Sequence, residues 1–374
     1  MVKRWADFFL LLAILVPIEA QDNGLARVRI HAYQPGVADP VPVRAVIVRA
    51  DGDILPGEWG DSDWPPAAIR GKAVTPEMIL EVPPGQTTLM LAKGPDYFPV
   101  TIVTNLATPG RTYTIEAVLR PVFDLYQKGW RSGDAHIHFF HGDNQVSRSP
   151  EEAYAICAAG GLDFASFAGE HFGASILTRE QSHRVWRPYE GAGCKIWLGA
   201  ESPKSAWGHH ASILYDPWKI RDALPYHLGI HSVHRQGGVC FPVHPSRVFP
   251  FREFEGEYGL FPLNNHYKYF PIAALAGHLL DGWSGVSDEA ANADVLKSYL
   301  ALLDLGYKIP LLADSDFCMD RANNGLKGAG FWLNYFHLEG RELTQAAVCE
   351  AMRKGRVMST TGPLVLFSID DAIS

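Results

Sequence analysis

Hydrophobic and polar residues alternate along the first third of the chain. Apolar residues recur at every second position in ARVRIHAY and in RTYTIEAVL, which is the period of a half-buried β-strand. Another strand-like segment, VRAVIVRADGD, runs into an Asp-Gly turn, and two more strands flank the Pro-Pro-Gly turn of MILEVPPGQTTLMLAKGPDY. Short strands at even spacing, separated by Gly and Pro turns, predict a small all-β sandwich domain over residues 23–120.

Short apolar strands alternate with helices after residue 120. The predicted strands are LDFASFA, CKIWLGAE, HASILY, GGVCFPVH and KIPLLADSD. The predicted helices are SPEEAYAICAAGG, WKIRDALPYHLGIHSVHRQ (interrupted at Pro225), NADVLKSYLALLDLG and TQAAVCEAMRKG. In the first helix, Ser149 is the expected N-cap and Pro150 takes the first helical position. This alternation predicts an α/β domain with a parallel sheet over residues 121–374, and a barrel is one form of such a domain.

The N-terminus has the order of regions found in a secretory signal. Lys3 and Arg4 precede an apolar run from Phe8 to Val16, and the small residue Ala20 follows. We expect a cleavable signal peptide over residues 1–20, and therefore a secreted or periplasmic protein; a buried N-terminal helix is the alternative. The run is shorter than the ~20 apolar residues that span a bilayer, and no later segment is long and apolar enough to do so, so no stable membrane insertion is expected.

Charge and cysteine usage narrow the classes of function. The chain has 33 Lys and Arg residues against 41 Asp and Glu residues, a net charge of −8, which argues against nucleic acid as a partner. The spacing of the cysteines shows neither a C-x-x-C pair nor a disulfide framework, so buried free thiols are the default interpretation. The five cysteines are Cys157, Cys194, Cys240, Cys318 and Cys349.

Metal-ligating residue types follow one another at the ends of the predicted strands. The segment GDAHIHFFHGDN closes the first strand of the second half, and the two-residue period puts His136 and His138 on one face. Glu170 and His171 follow FASFA, Glu201 follows KIWLGA, His209 and His210 precede ASILY, His244 follows VCFPV, and Asp314 and Asp316 follow PLLA.

The carboxyl ends of the strands of a parallel barrel meet at one mouth, where we expect these side chains to converge. Imidazole and carboxylate together suit zinc, manganese or iron. Each residue alone also has a structural explanation. His210 flanks His209, Asp134 is either a ligand or a supporting partner, and three histidines form a polar helix face: His227, His231 and His234.

The ordered motifs of the second half resemble those of a known family. GDAHIHFFHGD is similar to the D-x-H-x-H opening motif of the PHP (polymerase and histidinol phosphatase) superfamily of metal-dependent hydrolases. The later motifs follow in the family's order: GEH, the glutamate of GAES, WGHH, VHPSR and ADSDF. The closing EAMRKGRVMSTTGPLVLFSID, and a β-sandwich ahead of GWRSGD, resemble the CehA/McbA-like branch of that superfamily.

The resemblance implies a distorted (β/α)7 PHP-type barrel that holds two or three divalent metal ions. His136 and His138 match the ligands of the first metal, and Glu201 matches the bridging carboxylate. His209 and His244 match the ligands of the second metal. The remaining matches are Asp316 for the late aspartate, and Asp143 and His171 for a third ion.

The sequence departs from the family two residues beyond Asp316. The family usually has a histidine there, and this chain has Cys318. A thiolate can bind zinc, but a buried inert cysteine is the simpler interpretation, so two ions are expected and the third stays open. Relatives also commonly continue beyond the position of Ser374, which leaves a fragment and a naturally short member as alternatives.

The function that the resemblance implies is metal-assisted hydrolysis. The superfamily suggests a phosphoester, and the branch suggests an aryl ester or a carbamate, so a small anionic or aryl ester substrate is expected. Arg247 would neutralise an anionic substrate, and His171 or His210 would protonate the leaving group. The alternative from another class is a catalytically decayed extracytoplasmic protein that binds a glycan or a protein partner. Oligomeric state is left open.

Overall fold

The computed structural model describes residues 24–55, 71–139, 149–169, 188–201, 210–213, 226–243, 278–286, 293–319, 328–360, 364, 368–369 and 372–373. The signal peptide expected over residues 1–20 lies outside these ranges. Four helices are described: α1 Pro150–Ala159, α2 Tyr226–Arg235, α3 Ala293–Asp304 and α4 Gln345–Arg353. None of these four helices is long and apolar enough to cross a bilayer.

The strands of the first third of the chain are β1 Ala26–Tyr33, β2 Val43–Arg49, β3 Lys72–Val74, β4 Leu80–Val82, β5 Gly85–Ala92, β6 Tyr97–Phe98, β7 Val100–Leu106, β8 Thr112–Val118 and β9 Arg120–Pro121. Those of the remainder are β10 Trp130–His138, β11 Phe164–Gly169, β12 Tyr189–Gly191, β13 Cys194–Ala200, β14 His210–Ile213, β15 Val239–Pro242, β16 Trp283–Val286, β17 Leu311–Ala313, β18 Phe317–Cys318, β19 Leu333–His337, β20 Val357–Thr360, β21 Ser368–Ile369 and β22 Ala372–Ile373.

Two small sheets pack on one core in the first third of the chain. One has the order β4-β1-β8 and the other β3-β2-β5-β7. The predicted strands are present, but the two around the Pro-Pro-Gly turn do not pair with each other, since β4 joins β1 and β5 joins β2 and β7. The chain therefore crosses from one sheet to the other at this turn. The shared core includes Val28, Ile30, Ile47, Leu89 and Leu91.

A nine-stranded sheet dominates the second part and gives it a mixed α/β fold. Its main order is β15-β14-β13-β11-β10-β19-β20, with β12 paired to β13 and β18 paired to β10. Strands β10, β11 and β13 are parallel, as predicted. Strand β14 is antiparallel to both of its neighbours, and β19 is antiparallel to β10.

The predicted parallel sheet is therefore present at β10, β11 and β13, whereas β14 and β19 make the sheet mixed. The sheet is a curled half-barrel with few helices, and the exact (β/α)7 barrel is not shown in the described ranges. Only a parallel pair needs a long, usually helical, crossover, so the antiparallel pairs around β14 require no helix. Strands β16 and β17 form a separate parallel pair. The domain boundaries 23–120 and 121–374 stay predictions.

Helix α1 begins where the sequence predicts. The hydroxyl of Ser149 accepts a hydrogen bond from the N–H of Glu152 (3.2 Å), and the Glu152 carboxylate accepts one from the N–H of Ser149 (2.7 Å). This reciprocal pair satisfies two backbone donors at the helix start. The helix ends at Gly160, where an added Cβ would lie 2.4 Å from the carbonyl oxygen of Ala329. Every residue of α1 from 153 to 159 is buried.

Candidate metal centre

Strand β10 carries the first two candidate ligands to one end of the sheet. It lies between parallel β11 and antiparallel β19, and its last two residues also pair with β18. The strand is buried from Ser132 to His138 because neighbouring elements cover both of its faces. Gly133 allows this packing, since an added Cβ there would lie 2.2 Å from the ring of Phe164. His136 and His138 are consequently both inaccessible to solvent.

Three ligand atoms converge at the carboxyl end of β10. The Nε2 atoms of His136 and His138 lie 3.0 Å apart. Asp316 Oδ1 lies 3.0 Å from Nε2 of His138 and 3.7 Å from Nε2 of His136. All three atoms lie within 4.8 Å of one another, so one ion could contact all three residues.

The backbone holds Asp316 in an uncommon conformation. Its φ of 45° is in the left-handed region, which non-glycine residues rarely adopt. The Asp316 N–H donates to the carbonyl oxygen of His136 (3.0 Å), and the Met319 N–H donates to that of His138 (3.0 Å). These two hydrogen bonds tie the segment to β10 and compensate the conformational cost.

The spacing of these atoms fits a small divalent ion. A tetrahedral ion with bonds of about 2.0–2.1 Å to nitrogen and oxygen separates its ligand atoms by about 3.3 Å. The three observed separations, 3.0, 3.0 and 3.7 Å, bracket that value. Buried Glu201, just after β13, brings Oε2 to 3.7 Å from His138 Nε2. Two imidazoles and a carboxylate suit an open zinc site or an iron(II) site.

Two further buried carboxylates support the histidines. Asp314 Oδ2 lies 3.6 Å from Nδ1 of His136, and both carboxylate oxygens of Asp314 lack a hydrogen-bond partner in the described ranges. Asp134 Oδ1 accepts the N–H of His136 (3.0 Å). Burial raises the pKa of Asp134 to about 8, although hydrogen bonds from Ser315 and His136 oppose the rise. A bound cation would offset the cost of this buried negative charge.

Asn334 is a supporting residue that the sequence analysis missed. Its Oδ1 accepts from the Ala313 N–H (2.8 Å) and from the Ser359 hydroxyl (2.7 Å), and its Nδ2 donates to the Gly133 carbonyl (3.5 Å). One buried amide thus links β17, β19, β20 and β10 immediately before Asp314. The available signal was an asparagine between the apolar residues of the strand LNYFH.

His210 is the first residue of strand β14, although the sequence analysis put it just before the apolar run ASILY. It opens β14, opposite Pro242 of β15, and is buried. Because β14 runs antiparallel to β13, its first residue lies at the edge where β13 ends, beside Glu201. Because β14 is antiparallel, His210 at its start lies at the same sheet edge as Glu201, which follows the end of β13.

Cys318 lies opposite His138 in the β10–β18 pair and is buried. Its Sγ lies 3.7 Å from the carbonyl oxygen of Asp316, and the three-ligand cluster does not include it. Among the α2 histidines, His234 Nε2 pairs with Asp281 Oδ2 at 2.8 Å, and the exposed His227 and His231 contact each other through their rings. The remaining predicted site residues lie outside the described ranges: Asp143, His171, His209, His244 and Arg247.

Two solved structures are similar to the chain. A two-domain protein from Bacteroides vulgatus that contains a predicted PHP-like metal-dependent phosphoesterase is 16% identical, with a TM-score of 0.41, over 62% of this chain and 64% of that one. PsfC from Pseudomonas syringae is 15% identical, with a TM-score of 0.41, over 62% of this chain and 91% of that one. This chain thus spans less than two thirds of the first protein. Similarity of this extent assigns no activity to the chain.

No protein-family profile matches this sequence, and no curated protein matches it.

Proposed function

We propose that this chain is an exported metal-dependent hydrolase of the PHP superfamily, in its CehA/McbA-like branch. The observation that carries the proposal is the convergence, within 4.8 Å, of His136 and His138 from β10 with Asp316 from the segment after β17. The ordered motifs of the sequence support the same assignment. The proposed substrate is a small phosphoester, or an aryl ester or carbamate.

The proposed site residues have separate roles in binding and supporting the metal ions. His136, His138 and Asp316 would hold a zinc, manganese or iron ion, and Glu201 would extend the site towards a second ion, for which His209 and His244 are proposed ligands. When bound, such ions lower the pKa of water and polarise the oxygen under attack. Asp314 Oδ2 faces Nδ1 of His136 at 3.6 Å and is proposed to orient the ring so that Nε2 faces the centre.

Proton transfer and substrate binding need further residues. His210, buried beside Glu201 at the same sheet edge, is a proposed proton donor to the leaving group. His171 is an alternative donor and the proposed ligand of a third ion together with Asp143. Arg247 is proposed to neutralise an anionic substrate.

The experiment that tests this proposal is a hydrolysis screen on the metal-loaded protein. The substrates are an aryl phosphate, a phosphodiester, an aryl ester and a carbamate, each with and without a chelator. We expect at least one to be hydrolysed in a chelator-sensitive way. Loss of a supporting residue of a metal site costs about 10- to 100-fold. Glu201→Gln alters a proposed ligand, so its kcat/KM should fall by at least that factor.

Glu342→Gln, at an exposed glutamate, is the matched control and should leave kcat/KM unchanged. Metal-loaded protein that hydrolyses none of the four substrates, or a Glu201→Gln variant with full activity, would contradict the proposal. Ligand binding without hydrolysis would instead favour the binding-protein alternative.

A further inference from the structure

A polar cavity, separate from the candidate metal centre, lies at the opposite end of the large sheet. It has a volume of about 130 Å³ and is formed jointly by the sandwich strands and the starts of β10 and β11. Ser132 lines this cavity, whereas His138 lies six residues further along β10, about 20 Å away at about 3.3 Å per residue. The two sites therefore share no residue.

Charged groups from both parts of the chain meet in this cavity. Lys93 is buried and donates from Nζ to the carbonyl oxygen of Ala158 at the end of α1. Asp163 accepts from the N–H (2.9 Å) and hydroxyl (3.2 Å) of Ser132, and Asp96 accepts from the hydroxyl of Tyr335. Asp124 also lines the cavity, and Arg131 acts on Asp163 as a second cation beside Lys93. Three carboxylates thus face two cationic groups, and this balance favours an additional cation.

The pKa shifts agree with a shortage of compensating charge. Burial raises the pKa of Asp96 to about 6, although the hydrogen bond from Tyr335 opposes the rise. Burial also raises the pKa of Asp163 and lowers that of Lys93. A cation placed between the two carboxylates would stabilise both charged forms.

Two residues that line the cavity each carry a buried polar atom that lacks a hydrogen-bond partner within the described part of the chain. These atoms are Oε1 of Gln34, an acceptor on a side chain 8% exposed, and Nε1 of Trp130, a donor on a side chain 6% exposed. Such atoms are costly to bury unpaired, so each one indicates a missing partner. The partner of Gln34 Oε1 must donate a hydrogen bond, and the partner of Trp130 Nε1 must accept one.

Aromatic rings complete the lining. Tyr97, Phe123 and Tyr126 also border the cavity, and the last two are 39% and 51% exposed. Ring faces attract cations, and the guanidinium of Arg131 lies 3.5 Å from the centre of the Tyr126 ring, so Tyr97 and Phe123 are the rings proposed to contact an organic cation. This combination of carboxylates, an amide acceptor and aromatic faces distinguishes the cavity from a cluster of acidic surface residues.

We propose that this cavity binds a small organic ammonium ion that also carries an oxygen acceptor, that is, a compound of the amino-alcohol class. The ammonium group would donate to Asp96, Asp163 and the Gln34 Oε1 atom. The oxygen would accept from Trp130 Nε1. A cavity of about 150 Å³ holds benzene, so a volume of about 130 Å³ suits a ligand of about five non-hydrogen atoms.

The test uses three probes of similar size and different charge on the full-length protein. Ethanolamine is the cation, ethylene glycol its neutral counterpart and glycolate the anion, all measured by calorimetric titration and thermal unfolding at pH 7.5 and fixed ionic strength. We expect saturable binding of ethanolamine alone. At about 100 times its Kd, ethanolamine should raise Tm by a few degrees. Equal binding of ethylene glycol, binding of glycolate alone, or no binding at all would overturn the proposal.

Variants locate the binding in the cavity. Gln34→Leu removes the acceptor and Asp96→Asn removes a charge, and each should weaken ethanolamine binding at least about tenfold. If Asp96→Asn fails to fold, Gln34→Leu still decides. Asp304→Asn, at the exposed end of α3, is the control and should bind as the unmodified protein does. Binding that survives Gln34→Leu unchanged would place the ammonium elsewhere and contradict the proposal.

Discussion

Asp314 shows how one buried side chain can determine a site at the scale of the single residue. Its carboxylate faces Nδ1 of His136 at 3.6 Å, and its oxygens lack hydrogen-bond partners in the described ranges. A carboxylate behind a metal-binding histidine fixes the tautomer of the ring and increases its basicity as a ligand. Asp314 would therefore tune the centre without contacting the ion.

We accordingly predict that Asp314→Asn weakens metal binding about 10- to 100-fold and leaves the fold intact. The amide keeps the shape of the side chain but loses the charge that faces His136. Titration of the metal-free protein with zinc or manganese, followed by calorimetry, measures the effect. An affinity equal to that of the unmodified protein and of the Asp304→Asn control would remove Asp314 from the site.

Asp96 gives a prediction about pH at the same scale. Its pKa is about 6 in the folded protein against an ordinary value of 3.8, so between about pH 4 and 6 the folded state keeps a proton that the unfolded state has lost. This group's contribution to the free energy of unfolding is therefore fully present below about pH 4 and decreases as the pH rises to about 6.

Asp96→Asn lacks this titration. The free energy of unfolding of the variant minus that of the unmodified protein should thus increase from pH 4 to pH 6 and stay constant above. Denaturant titrations at pH 4, 5, 6 and 7.5 measure it. A difference that is flat across this range would show that Asp96 has an ordinary pKa.

At the scale of the element, the features that local interactions determine could be predicted from the sequence. The start of α1 was predictable because Ser149 is a favoured N-cap residue and Pro150 suits the first helical position, and the structure adds a capping box between Ser149 and Glu152. Strand positions were likewise predictable from alternation. Strand direction was not, because the two-residue period is the same in parallel and antiparallel strands. This is why β14 and the position of His210 had to be corrected.

The cap of α1 provides a prediction at the scale of the element. Ser149→Ala removes the acceptor for the Glu152 N–H and should lower the free energy of unfolding by about 1 kcal/mol. Ser149→Asp keeps an acceptor and should retain most of the stability. Denaturant unfolding of both variants distinguishes them. Equal losses in the two variants would mean that the cap does not stabilise this helix.

At the scale of the whole molecule, the sandwich strands and the large sheet are joined by buried polar contacts. Tyr335 of β19 donates to Asp96, 239 residues away in the chain, and Lys93 reaches the end of α1. Gly94 permits this contact, since an added Cβ there would lie 2.7 Å from the Gly160 carbonyl oxygen. Sequence patterns do not reveal such long-range pairs, so the polar cavity could not be predicted.

Part of the candidate metal centre, by contrast, was predictable from the sequence because it depends on a local pattern. Histidines two residues apart on one strand must share a face, so His136 and His138 were predictable as a pair. The approach of Asp316 depends on a left-handed residue and on two hydrogen bonds to β10. Asn334 acts through tertiary contacts alone, which no short motif encodes.

The most direct test of the account is the metal content of the purified protein, prepared without chelator and measured by elemental analysis. We expect at least one equivalent of zinc, manganese or iron in the unmodified protein and in the control His231→Ala, which alters an exposed histidine of α2. His138→Ala and Asp316→Ala should lose it. Folded, unmodified protein that contains no metal and binds none on titration would contradict the central claim.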